Sequence, residues 1–89
     1  MMSTAETILR IAIADSYTKF CWRYLSEHPA SVRELHEASG VEDWWPIKAG
    51  LETLKRMRLI DLTDAGASLT EFGKRVRDVQ AATRELRAV

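Results

Sequence analysis

Residues 31–46 contain the capping residues typical of one short helix and of the start of a second helix. Ser31 and Glu34 have the spacing of a capping box, in which each side chain bonds a backbone amide at the start of a helix. Gly40 suits the left-handed turn that ends a helix, so we predict a helix from Val32 to about Ser39. Pro46 fits the first turn of a following helix, where amide hydrogens lack partners. This spacing predicts two helices joined by a tight turn.

The second of these helices is predicted to start between Asp43 and Pro46, with Asp43 as its N-cap. Apolar side chains at helical spacing give it an inward face of Ile47, Leu51, Leu54 and Met57. Its outward face carries Lys48, Glu52, Lys55 and Arg56. In the shorter helix before it, the residues expected to face inward are Leu35 and Ala38.

A small hairpin and a last helix are predicted after residue 58. Two β-like segments, 59–62 and 68–69, flank an Asp/Gly turn, which is typical of a short hairpin. Thr70 can cap the last helix, with Glu71 at its positive end. The apolar residues of that helix form a narrow seam of coiled-coil type: Phe72, Val76, Val79, Thr83 and Leu86.

A long first helix is predicted from about Ala5 to Glu27, because His28-Pro29 cannot continue it. Its expected core face consists of Leu9, Ile13, Tyr17, Phe20 and Tyr24, with Cys21 and Leu25 at the edge. Its opposite side carries Ile8, Ile11, Ala12 and Trp22, so the helix should contact something on both faces.

Two partners can cover that second face: the last helix of the same chain, or another copy of the chain. We favour the second copy, because a narrow seam suits helix pairing and a chain this short has a small core. The predicted homodimer interface is Ile8, Ile11, Trp22, Phe72, Val76, Val79, Thr83 and Leu86.

Composition limits the possible functions. Eighty-nine residues allow one domain, and 13 basic against 13 acidic side chains argue against a general polyanion binder. The charge is uneven, since residues 1–43 hold four basic and seven acidic residues whereas residues 44–89 hold nine and six. The second half should therefore contact any nucleic acid. With no apolar run long enough to span a membrane, we expect a cytoplasmic or nucleoid-associated protein.

The sequence shows no arrangement typical of catalysis or of metal binding. The one cysteine, Cys21, is interpreted as a small buried apolar residue, and His28 with His36 lack the paired spacing of a metal site. The four glycines form no phosphate-binding loop. We therefore expect no enzyme activity, no metal and no cofactor.

The order helix, helix, turn, helix, hairpin, helix resembles the winged helix-turn-helix domain of the MarR and PadR families of bacterial and archaeal transcription regulators. The match covers roughly Phe20 to Val76 and is densest over residues 31–41 and 50–60. The segment Leu69-Thr70-Glu71-Phe72-Gly73-Lys74 looks like the families' Leu-Thr-x-x-Gly-(Lys/Arg) start of the last helix.

The resemblance implies a mainly α fold with a small β-hairpin wing and long N- and C-terminal helices, as a single domain over residues 1–89. The helix-turn-helix would occupy about residues 31–58, the wing about 59–69 and the C-terminal helix about 70–87. It also implies a homodimeric transcription regulator that binds double-stranded DNA with the third helix in the major groove. The expected DNA-binding residues are Arg33, Trp44, Trp45, Lys48, Glu52, Lys55, Arg56 and Lys74.

Two segments and one single residue differ from what such regulators usually carry. The third helix opens with Glu42-Asp43-Trp44-Trp45-Pro46, the wing from Thr63 to Ser68 holds no Arg or Lys, and Arg58 stands where relatives often place Gly. An alternative follows, in which the fold is a protein-interaction module (an adaptor or a phage-type accessory protein) with a Trp44/Trp45 surface. In the structural alternative, one of the two rings fills the core under the second helix and the other lies on the domain surface, covered by a long side chain. The cations of the third helix could likewise form a solvated face, with Glu52 paired to Lys48 and Arg56.

Overall fold

The computed structural model describes residues 16–88, and the side chains of residues 16–82. The elements in chain order are α1 (Ser16–Glu27), α2 (Val32–Ser39), α3 (Trp45–Arg56), β1 (Ile60–Thr63), β2 (Gly66–Leu69) and α4 (Glu71–Ala88). The chain is thus mainly helical, with a two-stranded hairpin after three helices and a final helix, which is compatible with a winged-helix layout. The predicted start of the first helix at Ala5, with Ile8 and Ile11, lies outside the described residues.

Helix α2 begins and ends where the sequence predicted. The Glu34 amide donates to Ser31 Oγ over 3.1 Å, the Ser31 amide donates to Glu34 Oε1 over 3.4 Å, and Gly40 is left-handed at φ 71°. The inward position of Ala38 is wrong, because Ala38 is exposed while Leu35 is fully buried and Val32 packs against the core. The side of α2 that faces the core therefore carries Val32, in the first turn of the helix, and Leu35, but not Ala38.

Helix α3 starts without the predicted Asp43 cap. Its N-cap is Trp44, in helical conformation and with no side-chain capping bond, and Pro46 occupies the first turn. The cap prediction is wrong because the helical conformation already begins at Trp44, and the Trp44 carbonyl accepts from the Lys48 amide over 3.1 Å. The inward face is confirmed for Ile47, Leu51 and Leu54, which are all buried, with Met57 partly buried against the core.

Helix α1 ends at Glu27 as predicted, but its buried face lies one residue further along the chain than the pattern indicated. The buried side chains are Thr18, Cys21, Trp22 and Leu25, whereas Tyr17 is 38% exposed and Phe20 and Tyr24 are partly buried. One residue corresponds to about 100° of helix rotation. The cause is the close approach of α3, since a Cβ on Gly50 would lie 3.2 Å from the Thr18 Cα.

The hairpin pairs Ile60 with Leu69 and Thr63 with Gly66, so its two-residue turn falls at residues 64–65. Ala30 extends this sheet as an isolated bridge on the far side of β2. Its amide donates to the Ala67 carbonyl over 3.1 Å and its carbonyl accepts from the Ala67 amide over 2.7 Å. The hairpin is thereby tied to the segment that joins α1 to α2.

Four residues form what we call the junction between the hairpin and the flanking helices: Arg58, Leu59, Thr70 and Gly73. Arg58 is left-handed at φ 61°, and the Thr70 hydroxyl donates to its carbonyl over 2.7 Å. The same hydroxyl accepts from the Gly73 amide over 2.9 Å, which confirms Thr70 as the cap of α4. A Cβ on Gly73 would overlap the Leu59 carbonyl oxygen. These contacts explain why the motif needs Thr and Gly at this spacing.

The predicted seam on α4 divides between the core and the surface. Val76 is 1% exposed, whereas Phe72 and Val79 are 36% and 40% exposed. The side chains of Thr83 and Leu86 lie outside those described. Trp22, also 1% exposed, donates its indole N–H to Gln80 Oε1 over 3.2 Å. The assignment of Trp22 and Val76 to a dimer interface is therefore wrong, because both are buried in the core of the chain itself.

Candidate nucleic-acid interface

The side of α3 that points away from the core presents six exposed side chains, which we call the α3 face. Ile47, Leu51 and Leu54 recur at helical spacing and hold one side of α3 in the core, so the positions on the other side are left in solvent. The α3 face consists of Trp45, Lys48, Ala49, Glu52, Lys55 and Arg56. This confirms the predicted outward face and adds Trp45 and Ala49 to it.

The cations of the α3 face are unpaired. Within the described residues, neither Lys48, Lys55 nor Arg56 forms an ion pair, and the same holds for exposed Arg58 just after the helix. The alternative, in which Glu52 pairs with Lys48 and Arg56, is not observed. The α3 face therefore carries three free cations against one carboxylate, which is a positive surface open to an anionic ligand.

Arg33 and Lys74, the two predicted phosphate contacts outside α3, are in exposed ion pairs. Arg33 Nε lies 3.1 Å from Glu37 Oε1 on α2, and Lys74 Nζ lies 3.3 Å from Glu71 Oε1 at the start of α4. Exposed pairs of this kind contribute about 0–1 kcal/mol, so a phosphate can displace the carboxylate at little cost. Either side chain remains able to contact a ligand, but the paired carboxylate offsets part of its positive charge, which is not so for Lys48 or Lys55.

Neither Trp44 nor Trp45 lies in the core, so the core alternative for these rings is wrong. The Trp44 ring stacks on His36 of α2, with ring centroids 4.1 Å apart and planes inclined by 16°, and it stays 45% exposed. His36 Nε2 lies 3.2 Å from the Glu42 carbonyl oxygen, which holds the imidazole in place. Trp45 is 68% exposed.

The stack of His36 on Trp44 was not predicted from the sequence, in which His36 was considered only as a metal ligand and rejected. The stack forms because the turn between α2 and α3 folds back and brings Trp44 over α2. A pair of side chains eight residues apart across a turn has no periodic signal in the sequence, so only the aromatic character of Trp44 pointed to it.

The hairpin contributes no positive charge. Thr63 at the end of β1 and the turn residues Asp64 and Ala65 are exposed, and the Thr63 hydroxyl accepts from the Ala65 amide over 3.2 Å. Asp61 and Asp64 are the charged residues of residues 60–69. Any electrostatic attraction of an anionic ligand must therefore come from the helices, where α3 holds three exposed cations, and not from the hairpin.

The interpretation of Cys21 as a buried apolar residue is confirmed. It is fully buried, and its Sγ lies 4.0 Å from the Ile47 carbonyl oxygen. Among the described residues, no three or more His, Cys, Asp or Glu side chains come together as a possible metal site. Over the same part of the chain, every buried side-chain nitrogen or oxygen has a hydrogen-bond partner.

No family model matches the chain. No curated protein matches it either. Among solved structures, the crystal structure of quinone-bound YodB from B. subtilis is similar, with a TM-score of 0.71 over 90% of this chain and 88% of that one. The two sequences are 18% identical, so the likeness establishes a shared fold and nothing about ligands. In residues 16–88 no helix is long and apolar enough to cross a membrane.

Proposed function

We propose that this chain is a small winged-helix transcription regulator that binds duplex DNA through the α3 face. The observation that carries the proposal is that three exposed cations, Lys48, Lys55 and Arg56, lie together on one face of α3 with no ion pair among the described residues. The fold supports it, because in helix-turn-helix proteins the second helix of the motif enters the major groove. In this proposal the chain has no catalytic role, metal or cofactor and acts in the cytoplasm on the nucleoid.

Phosphate contacts supply most of the affinity of such a protein, and base contacts supply its specificity. We assign the phosphate contacts to Lys48, Lys55 and Arg56, with Arg33 and Lys74 in secondary positions. Trp44, Trp45 and Glu52 then lie near base edges. The hairpin makes at most backbone contacts with DNA, since its turn carries no cation.

A charge reversal on the α3 face tests this assignment. The Lys48→Glu, Lys55→Glu double variant should lose nearly all affinity for a random-sequence duplex at low salt, because two phosphate contacts become repulsive. Its matched control is Lys19→Glu with Arg23→Glu, which changes two exposed cations of α1 and the net charge by the same amount. Binding is measured by fluorescence anisotropy of labelled DNA, with circular dichroism to check folding.

The control variant should bind at least tenfold more tightly than the α3 variant. An equal loss in both would show that net charge alone governs binding. Unchanged affinity in the α3 variant would remove the α3 face from the mechanism.

We propose further that two chains pair through α4 to form a homodimer. Phe72 and Val79 remain exposed on this 18-residue helix, so an apolar surface is left after α4 has packed on its own chain. Pairing would present two α3 faces about one DNA turn apart. Light scattering should give twice 10.1 kDa for the wild type and 10.1 kDa for Val79→Glu. A wild type that is already monomeric would end this part of the proposal.

A second candidate function is that of a protein-interaction module, and the exposure of Trp44 and Trp45 favours it. Tryptophan is enriched in binding hot spots, and the adjacent carboxylates Glu42 and Asp43 are exposed as well. This candidate requires that the wild type fail to bind duplex DNA even at low salt. It also requires that Trp44→Ala with Trp45→Ala abolish capture of a partner protein while the fold is retained.

A further inference from the structure

The first two turns of the α3 face expose an apolar strip, formed by Trp45 and Ala49. The two residues are four apart in the helix and therefore adjacent on its surface. Trp45 is 68% exposed and Ala49 is also exposed. Lys48 and Glu52 flank the strip, so the N-terminal half of the face combines an apolar surface with one cation and one carboxylate.

Hydrogen-bonding groups that read bases are scarce on this part of α3. Of the residue types that bond adenine or guanine through two hydrogen bonds (Asn, Gln, Arg and Lys), the sequence between Trp45 and Thr53 holds only Lys48. The Thr53 hydroxyl is engaged, since it donates to the Ala49 carbonyl over 3.0 Å. Lys48 and Glu52 are left as polar readers, and the largest exposed surface is the apolar strip.

The stack of Trp44 on His36 fixes the position of the residue directly before the apolar strip. Trp44 is held against His36 of α2 by the stacked rings, so the first turn of α3 cannot swing away from the rest of the domain. Trp45 follows directly and projects its ring into solvent. The free cations Lys48, Lys55 and Arg56 lie on the same face, and their charge complements the phosphates on both sides of a major groove.

We infer that the apolar strip recognises thymine through its C5-methyl group in the major groove. This inference rests on the proposed function and names what the same surface reads. The thymine methyl is the apolar group that standard base pairs present in the major groove, and apolar side chains are its usual partners. Trp45 is the specificity-determining residue, with the Ala49 methyl beside it. Sites rich in thymine opposite the first turns of α3 are preferred.

The test removes the methyl group and nothing else from the DNA. Wild-type protein is titrated at low salt against an alternating dA–dT duplex and against the same duplex with deoxyuridine in place of every thymidine. The uracil duplex should bind about fourfold more weakly for each methyl group contacted, because burying one such group contributes about that factor. Trp45→Ala serves as the matched variant, and since its ring is exposed the fold should be retained.

Each outcome decides between the possibilities. A preference for thymine in the wild type that disappears in Trp45→Ala supports the inference. A preference that persists in Trp45→Ala overturns it, because the uracil duplex would then differ through its shape. Equal, salt-dependent binding to both duplexes also overturns it but leaves the proposed function intact. No binding to either duplex overturns both and leaves the strip as a surface for a protein partner.

Discussion

The junction and the α3 face differ in how far the surrounding structure restricts the choice of residue at each position. At the junction, the Gly73 backbone approaches the Leu59 carbonyl so closely that no side chain fits, and one hydroxyl bonds both Arg58 and Gly73. On the α3 face, the side chains project into solvent and its cations form no ion pair within the described residues. The first region holds the fold together, and the second is free to vary with the ligand.

This difference explains why the resemblance to winged-helix regulators is dense in some segments and absent in others. Thr70 and Gly73 are fixed by backbone geometry, so any chain with this junction needs them. Nothing in the packing requires Trp45 or Lys48, because neither is buried. The residues that define the fold and the residues that define the ligand therefore respond separately to substitution.

The largest expected effect on stability comes from Gly73→Ala. The new methyl group would overlap the Leu59 carbonyl oxygen, which already accepts from the Thr70 amide over 3.1 Å. We expect a loss of at least about 3 kcal/mol in the free energy of unfolding, measured by urea denaturation. Since a chain of this size is stable by only about 5–10 kcal/mol, expression should also fall.

Gly40→Ala is the matched control for this substitution. Gly40 is left-handed at φ 71°, but a Cβ there meets no heavy atom within 4 Å. Only the backbone strain of about 1 kcal/mol should appear. Equal losses at both glycines would show that the contact with Leu59 is unimportant and that the junction is not a special constraint.

Arg58 belongs to the junction and lies directly after α3, so it tests both regions at once. Arg58→Gly should change the free energy of unfolding less than Gly73→Ala, and in the opposite direction. Glycine removes the strain of a non-glycine residue at φ 61° and should raise the free energy of unfolding by up to about 1 kcal/mol. Arg56→Gly removes the same charge from the last residue of α3 and should lower it by up to about 1 kcal/mol.

Both variants should weaken DNA binding, because Arg56 is a cation of the α3 face and Arg58 is an exposed cation just after it. A destabilised Arg58→Gly protein would mean that the Arg58 side chain contributes more to the fold than its backbone strain costs.

Local signals in the sequence were enough to predict the elements and their order. The capping box of Ser31 and Glu34, the C-cap Gly40 and the Asp/Gly turn act over a few residues, so they can be read without knowing the tertiary structure. The same holds for the outward face of α3, whose core side is strictly periodic.

The errors fall where two elements meet. The buried face of α1 depends on how closely α3 approaches at Gly50, and the burial of Trp22 depends on Gln80, which is 58 residues away. The stack of His36 on Trp44 depends on the path of the intervening turn. None of these three contacts has a signature in the sequence. Each is set by packing between elements that are remote along the chain or separated by a turn.

The most direct test is the salt dependence of wild-type binding to random-sequence duplex DNA. We expect binding at low salt whose logarithmic affinity falls linearly with the logarithm of salt concentration, with a slope that corresponds to at least about three phosphates per chain. The residual binding of the Lys48→Glu, Lys55→Glu variant should show a slope lower by about two. No binding at low salt, or an affinity independent of salt, would contradict the assignment of the α3 face to DNA.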